Sequence, residues 1–177
     1  MIVMRVENRD HRDTLLKGAD GLPAHYPVPS EETDLQFFIQ KNKNCNTVIY
    51  QLNRTADGFI NQNKPLNVYW KEYEDDGHVS KMNFLQERLA YGYTHKVINN
   101  ETVQISIVSY PSYKMYITKT DIGYKTMAKF KDNWVTLTNI YVFADELGAF
   151  PNVKYIELYG EDMEQGIPYF DKINISE

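Results

Sequence analysis

Cysteine is almost absent from this 177-residue chain, where Cys45 stands alone. No internal disulfide can form and no cysteine-rich zinc site exists. A reducing compartment, the cytoplasm, is the expectation, with an exported protein parted from its signal segment as the alternative. The opening residues, Met1 to Asp10, hold no seven-residue apolar core behind a basic flank and no small-residue cleavage site. Long apolar runs are missing as well, and none reaches the roughly 18 residues of a membrane helix. A basic surplus is also missing. Twenty-four carboxylates against 19 Lys and Arg leave a net charge of −5, whereas nucleic-acid binders carry a basic stripe or excess. The expected partners therefore include neither nucleic acid nor a membrane span.

Glycine is sparse, and its nine copies spell neither the dinucleotide fingerprint nor the P-loop. None of the serines sits in a nucleophile elbow, and no helix pairs two histidines for zinc. Three weaker patterns carry their own objections. Tyr110-Pro111-Ser112-Tyr113-Lys114 has the Tyr and Lys spacing of short-chain reductases, but that pair works from one helix face and Pro111 marks a turn. Glu72, Glu74, Asp76 and Gly77 occupy the first, third, fifth and sixth places of a calcium loop, yet the twelfth is Asn83 instead of a bidentate Glu. Cys45 with His78 or His95 lacks any orienting acid. No cofactor, no metal and no enzymatic activity are expected.

What the chain does have is β patterning. Ile and Val together outnumber Leu 26 to 11, a bias that suits pleated, half-buried surfaces. Val48, Tyr50 and Leu52 alternate with polar neighbours, as do Leu66, Val68 and Trp70, and Val103, Ile105 and Ile107. Turn residues punctuate these runs at Asp57-Gly58, Asn99-Asn100, Tyr110-Pro111-Ser112, Asp121-Ile122-Gly123 and Lys131-Asp132-Asn133. Thr102 to Phe143 therefore reads as a four-strand meander, with a fifth strand over Val153 to Tyr159. One helix is predicted near 80–91, where Met82, Leu85 and Leu89 recur at helical spacing, Ser80 caps the start and Gly92 follows the end. A shorter helical piece is predicted over Ala144 to Ala149. Residues 1–34, with Gly18, Gly21, Pro23, Pro27 and Pro29, form an extended N-terminal arm whose anchors would be Leu22, His25 and Tyr26. Residues 35–177 form a single antiparallel β domain of about nine strands, either a closed lipocalin-like, up-and-down barrel or a two-sheet sandwich.

The 14 tyrosines are the most unusual count. Each joins a large apolar body to a hydroxyl that needs a partner, so they gather in cores near polar edges, at interfaces and in ligand cups. Tyr69, Trp70 and Tyr73 cluster before the acidic turn, and Tyr91 closes the helix. Arg88 on that helix would pair with Glu72 or Glu74, or clamp an anionic ligand. These five, Tyr69, Trp70, Tyr73, Arg88 and Tyr91, are the candidate ligand-binding residues, and they predict a deep apolar pocket near Trp70, Tyr73 and Tyr91.

Several stretches in order carry a resemblance: Phe37-Phe38-Ile39-Gln40, Asn44 through Tyr50, Tyr69-Trp70 with Tyr73-Glu74, the Ala-Tyr-Gly at 90–92, and Val153 through Gly160. Together they resemble a bacterial domain family of unknown function over about residues 35 to 160. The resemblance implies a single standing domain, lends no activity and carries over no site residue. Some members look exported. Two functions follow from the composition and patterning. One is a non-catalytic β domain binding a small amphipathic molecule. The alternative is a protein-interaction or structural domain that uses a strand edge or an aromatic patch.

Overall fold

The computed structural model describes residues 2–3, 26–145 and 152–175. The chain is mainly β, a strongly curled sheet that forms a half-barrel. Among the described residues twelve strands build it: β1 Ile2–Val3, β2 Leu35–Lys41, β3 Thr47–Leu52, β4 Leu66–Glu72, β5 His78–Lys81, β6 Tyr93–Asn99, β7 Thr102–Ile107, β8 Met115–Thr120, β9 Gly123–Phe130, β10 Asn133–Asp145, β11 Asn152–Glu161 and β12 Pro168–Asn174. The predicted meander is present as β7 to β10, each strand antiparallel to the next. The predicted fifth strand is β11.

Curling follows from how β10 is shared. Its first residues, Asn133 to Thr136, pair with β9, and Asn139 to Val142 on the same edge pair in parallel with β2. β11 runs along the other edge. One 13-residue strand thus splices the meander onto the β2–β3–β4–β5 hairpin series, in the order β5-β4-β3-β2-β10-β9-β8-β7-β6. The sheet is mixed for this reason. The parallel joint departs from an all-antiparallel expectation, because it links segments a hundred residues apart that no turn connects.

The inner face obeys the period of two. Phe37 and Ile39, Val48 and Tyr50, Val103, Ile105 and Ile107, and Leu158 all bury into one cluster. The middle of the sheet is buried on both faces, so Phe38, Ile49 and Thr47 are as inaccessible as their neighbours. A second cluster of Tyr26, Cys45, Tyr141, Tyr159 and Phe170 lies on the back. The predicted arm anchor Tyr26 belongs to it, while Leu22 and His25 lie outside the described residues. Residues 27–34 are tied to the sheet by polar contacts: Gln40 Nε2 donates to Pro27 O at 2.8 Å, and Arg54 grips both Asp34 carboxylate oxygens at 3.0 Å.

Two local expectations are corrected. The helix, α1, starts three residues late. Asn83 caps it with a capping box, an α-turn covers Phe84–Gln86 and a π-turn covers Glu87–Tyr91. Ser80 belongs to β5 instead. The second predicted helix is not formed at Ala144 and Asp145, which extend β10, and its remaining residues lie outside the described ones.

Candidate functional site

The pleat separates residues that adjoin in sequence, because successive side chains point to opposite faces. Trp70 turns inward, only 8% exposed, and meets Tyr91 edge-on with ring centroids 5.3 Å apart. Its indole N–H donates to Gln86 Oε1 at 3.1 Å. Tyr69 and Tyr73 take the back of the sheet, beside the carboxylates of Glu31 and Glu32. Tyr73 Oη donates to Glu31 at 3.1 Å, and Lys71 between them pairs with Glu32 at 3.1 Å. Burial, and then the Glu32 carboxylate, push the Tyr69 hydroxyl up to about 12. The same causes, with Glu31 as partner, push Tyr73 upward. Arg88 lies on the exposed flank of α1, its guanidinium 5.8 Å from the Phe84 ring. It forms no ion pair with Glu72 or Glu74. Of the five predicted residues, Trp70 and Tyr91 come together at the rim of the half-barrel. Tyr69, Tyr73 and Arg88 do not join them.

A cation does join that pair, and it is Lys41. Its ammonium sits 5.4 Å from the Trp70 ring and 5.8 Å from Tyr91, within the ~6 Å reach of cation–π attraction. Lys41 follows Phe37 and Ile39 on the inward side of β2, a charge where alternation calls for an apolar residue. That break in the pattern is the signal by which sequence could have found it. Beside it opens a cleft of about 360 Å³, walled by Lys41, Lys81, Asn44, Asn46, Gln86 and Glu72 among others. This hollow near Trp70 is polar, in contrast to the predicted apolar one.

The apolar hollow lies next door. It measures about 190 Å³ and is lined by Ile39, Tyr110, Tyr113, Met115, Val142 and Ile156 among others. The Tyr110 and Tyr113 rings stack at 5.6 Å, and Tyr113 Oη donates to Lys129 O at 2.9 Å, which fixes the loop that forms one wall. The two hollows meet on neighbouring strands. Ile39 lines one and Lys41, two residues on, the other, while Val142 of the apolar hollow is the register partner of Lys41. Parallel strands lie about 4.8 Å apart, so paired residues share a wall.

The acidic turn does not gather its oxygens on one point. Glu74 Oε1 accepts from the Cys45 N–H at 3.3 Å and from its thiol at 3.4 Å, and the Glu74 N–H donates to Asn46 Oδ1. Asp76 and Gly77 take positive φ, 52° and 73°, to close the turn. Among the described residues no three His, Cys, Asp or Glu side chains converge as metal ligands. His95 lies against the Gln62 carbonyl at 3.0 Å, away from Cys45.

Fold and rim together define a curled β half-barrel with paired polar and apolar hollows at one end. The chain belongs to the family described as a domain of unknown function, DUF4833, which matches residues 37–172. No curated protein and no solved structure matches it. Among the described residues no helix is long and apolar enough to cross a membrane.

Proposed function

We propose that the chain is a non-catalytic binding domain for a small apolar or amphipathic molecule. One observation supports this reading above the others: the half-barrel's own side chains leave an apolar hollow at the rim, walled by Ile39, Tyr110, Tyr113, Met115, Val142 and Ile156. Apolar cavities of roughly 150 Å³ take up a single benzene ring, so about 190 Å³ suits one ring or a short chain. Aliphatic walls supply the affinity. The test is calorimetric titration with 1-octanol, a neutral probe of that size. One saturable site is expected in the native protein, and Val142→Phe, which fills the hollow from its edge, is expected to remove it. Absence of any binding heat from the native protein sinks the reading.

A second reading, association with another protein, draws on a different observation. Phe84, Leu85 and Leu89 on α1 are 69%, 65% and 65% exposed, and apolar side chains grouped on one exposed face mark interaction surfaces.

A further inference from the structure

The polar cleft beside the apolar hollow has a wall chemistry of its own, and it is set by which atoms the amides have already used. Gln86 Oε1 accepts from the Trp70 indole and from the Asn83 N–H, at 3.1 and 3.2 Å. Asn83 Oδ1 accepts from the Gln86 N–H at 2.8 Å. Asn44 Oδ1 accepts from the Asn46 N–H and Asn46 Oδ1 from the Glu74 N–H, both at 3.0 Å. Every one of these partners is an N–H group, which can only donate, so the oxygen assignment of all four amides is fixed. Each amide's oxygen is thereby engaged within the protein, and each NH₂ group is left to donate elsewhere. All four residues line the cleft.

The cleft's charge has the same sign. Lys41 and Lys81 line it against the single carboxylate of Glu72. Among the described residues neither Lys41 nor Lys81 has an ion-pair partner. The Lys41 ammonium is instead held by the faces of Trp70 and Tyr91, which position the charge without cancelling it. Donors and ammonium groups make a wall for an anion, and the wall's inner end is the strand pair that borders the apolar hollow.

We propose that the ligand is a small carboxylic acid with an apolar body. Its hydrocarbon part lies in the hollow behind Val142, and its carboxylate lies in the cleft beside Lys41, where the amide NH₂ groups of Asn44 and Gln86 complete the donor set. This inference rests on the binding function proposed above and names the chemistry of its ligand. Charge-assisted hydrogen bonds to a carboxylate are about twice as strong as neutral ones.

Three probes with one tail separate the two claims: 1-octanol, octanoate and octylamine, each titrated at pH 8 into the native protein, Lys41→Met, Lys41→Arg and Val142→Phe. Thermal melts confirm that each variant is folded, and Val153→Phe replaces Val142→Phe if that one is not. Octanoate is expected to bind about tenfold tighter than 1-octanol and octylamine more weakly than either. Lys41→Met is expected to erase the preference for the acid over 1-octanol, and Lys41→Arg to restore it. Equal affinity for octanoate and 1-octanol overturns the inference and leaves the binding function standing. Octanoate binding that survives Val142→Phe and Val153→Phe overturns it too, since the tail then lies elsewhere. No binding of any probe removes both claims.

Discussion

Cys45 and Glu74 stand 29 positions apart in the sequence and 3.4 Å apart in the fold. Burial is the larger cause, and the carboxylate the next, that push the thiol up to about 11. An ordinary thiol titrates near 8.5. Between those values the folded chain keeps a proton that the unfolded chain gives up, so stability falls as pH rises. The thiol's contribution is therefore complete below about pH 8.5 and lost as pH passes about 11. At pH 8 iodoacetamide is expected to alkylate native Cys45 at least about tenfold more slowly than the urea-unfolded chain, with Glu74→Gln speeding the native reaction because the repelling charge is gone. Equal rates in native and unfolded protein would contradict this picture. The sequence placed Glu74 among calcium-loop positions and set Cys45 beside His78 or His95 without an orienting acid. It held no sign of their contact, which depends on strands β3 and β4 pairing Thr47 with Lys71.

The segment α1 and the strand after it show where period and chemistry part. Spacing alone predicts that Leu85 and Leu89 face the core, yet both are exposed. The inward contacts belong to Tyr91 and Gln86, through Trp70. Gly92 does follow the last turn as predicted, but for a different reason. Its backbone is extended, at φ −63° and ψ 174°, and a Cβ there would stand 2.0 Å from the Glu87 carbonyl oxygen. Next to it, Tyr93 makes the seam between β6 and β4. β4 and β6 share no ladder, and Tyr93 Oη accepts from Leu66 N at 2.9 Å and donates to Leu66 O at 2.8 Å, one phenol standing in for a strand partner. Tyr93→Phe strands both backbone groups and is expected to cost about 1–3 kcal/mol. Hydrogen exchange checks it, since the Leu66 amide should lose protection before amides of β3. If that amide exchanges unchanged, the seam is held by something else.

Taken as a whole, the molecule was most readable where contacts are local. Each hairpin of the meander is dictated by its own turn residues, so β7 to β10 fall where alternation and turn chemistry put them. Three features depend on distant chain and were hidden: the parallel joint of β2 with β10, the strand β12 with Asp171 and Lys172 inside it, and the buried back face that makes Ile49 and Thr47 core. The site divides in the same way. Trp70 was legible in the aromatic cluster before the acidic turn and Tyr91 as the aromatic that closes the helix, whereas Val142 reaches the rim only through that parallel joint.

The half-barrel's stability should then depend on the inner cluster and not on the apolar stripe of α1. Leu85 and Leu89 lie outside both buried clusters, so replacing them removes no core packing. Surface changes of this kind usually stay within about 0.5 kcal/mol. The double variant Leu85→Glu/Leu89→Glu is accordingly expected to melt within a degree or two of the native protein, while a fall of several degrees would mean that the stripe packs against the body. Light scattering across a concentration series then asks what the stripe does for the native molecule. If it joins copies of this chain, mass rises with concentration in the native protein and stays flat in the charged variant. A native mass that is constant and monomeric removes self-association, and leaves the stripe to a different partner or to solvent.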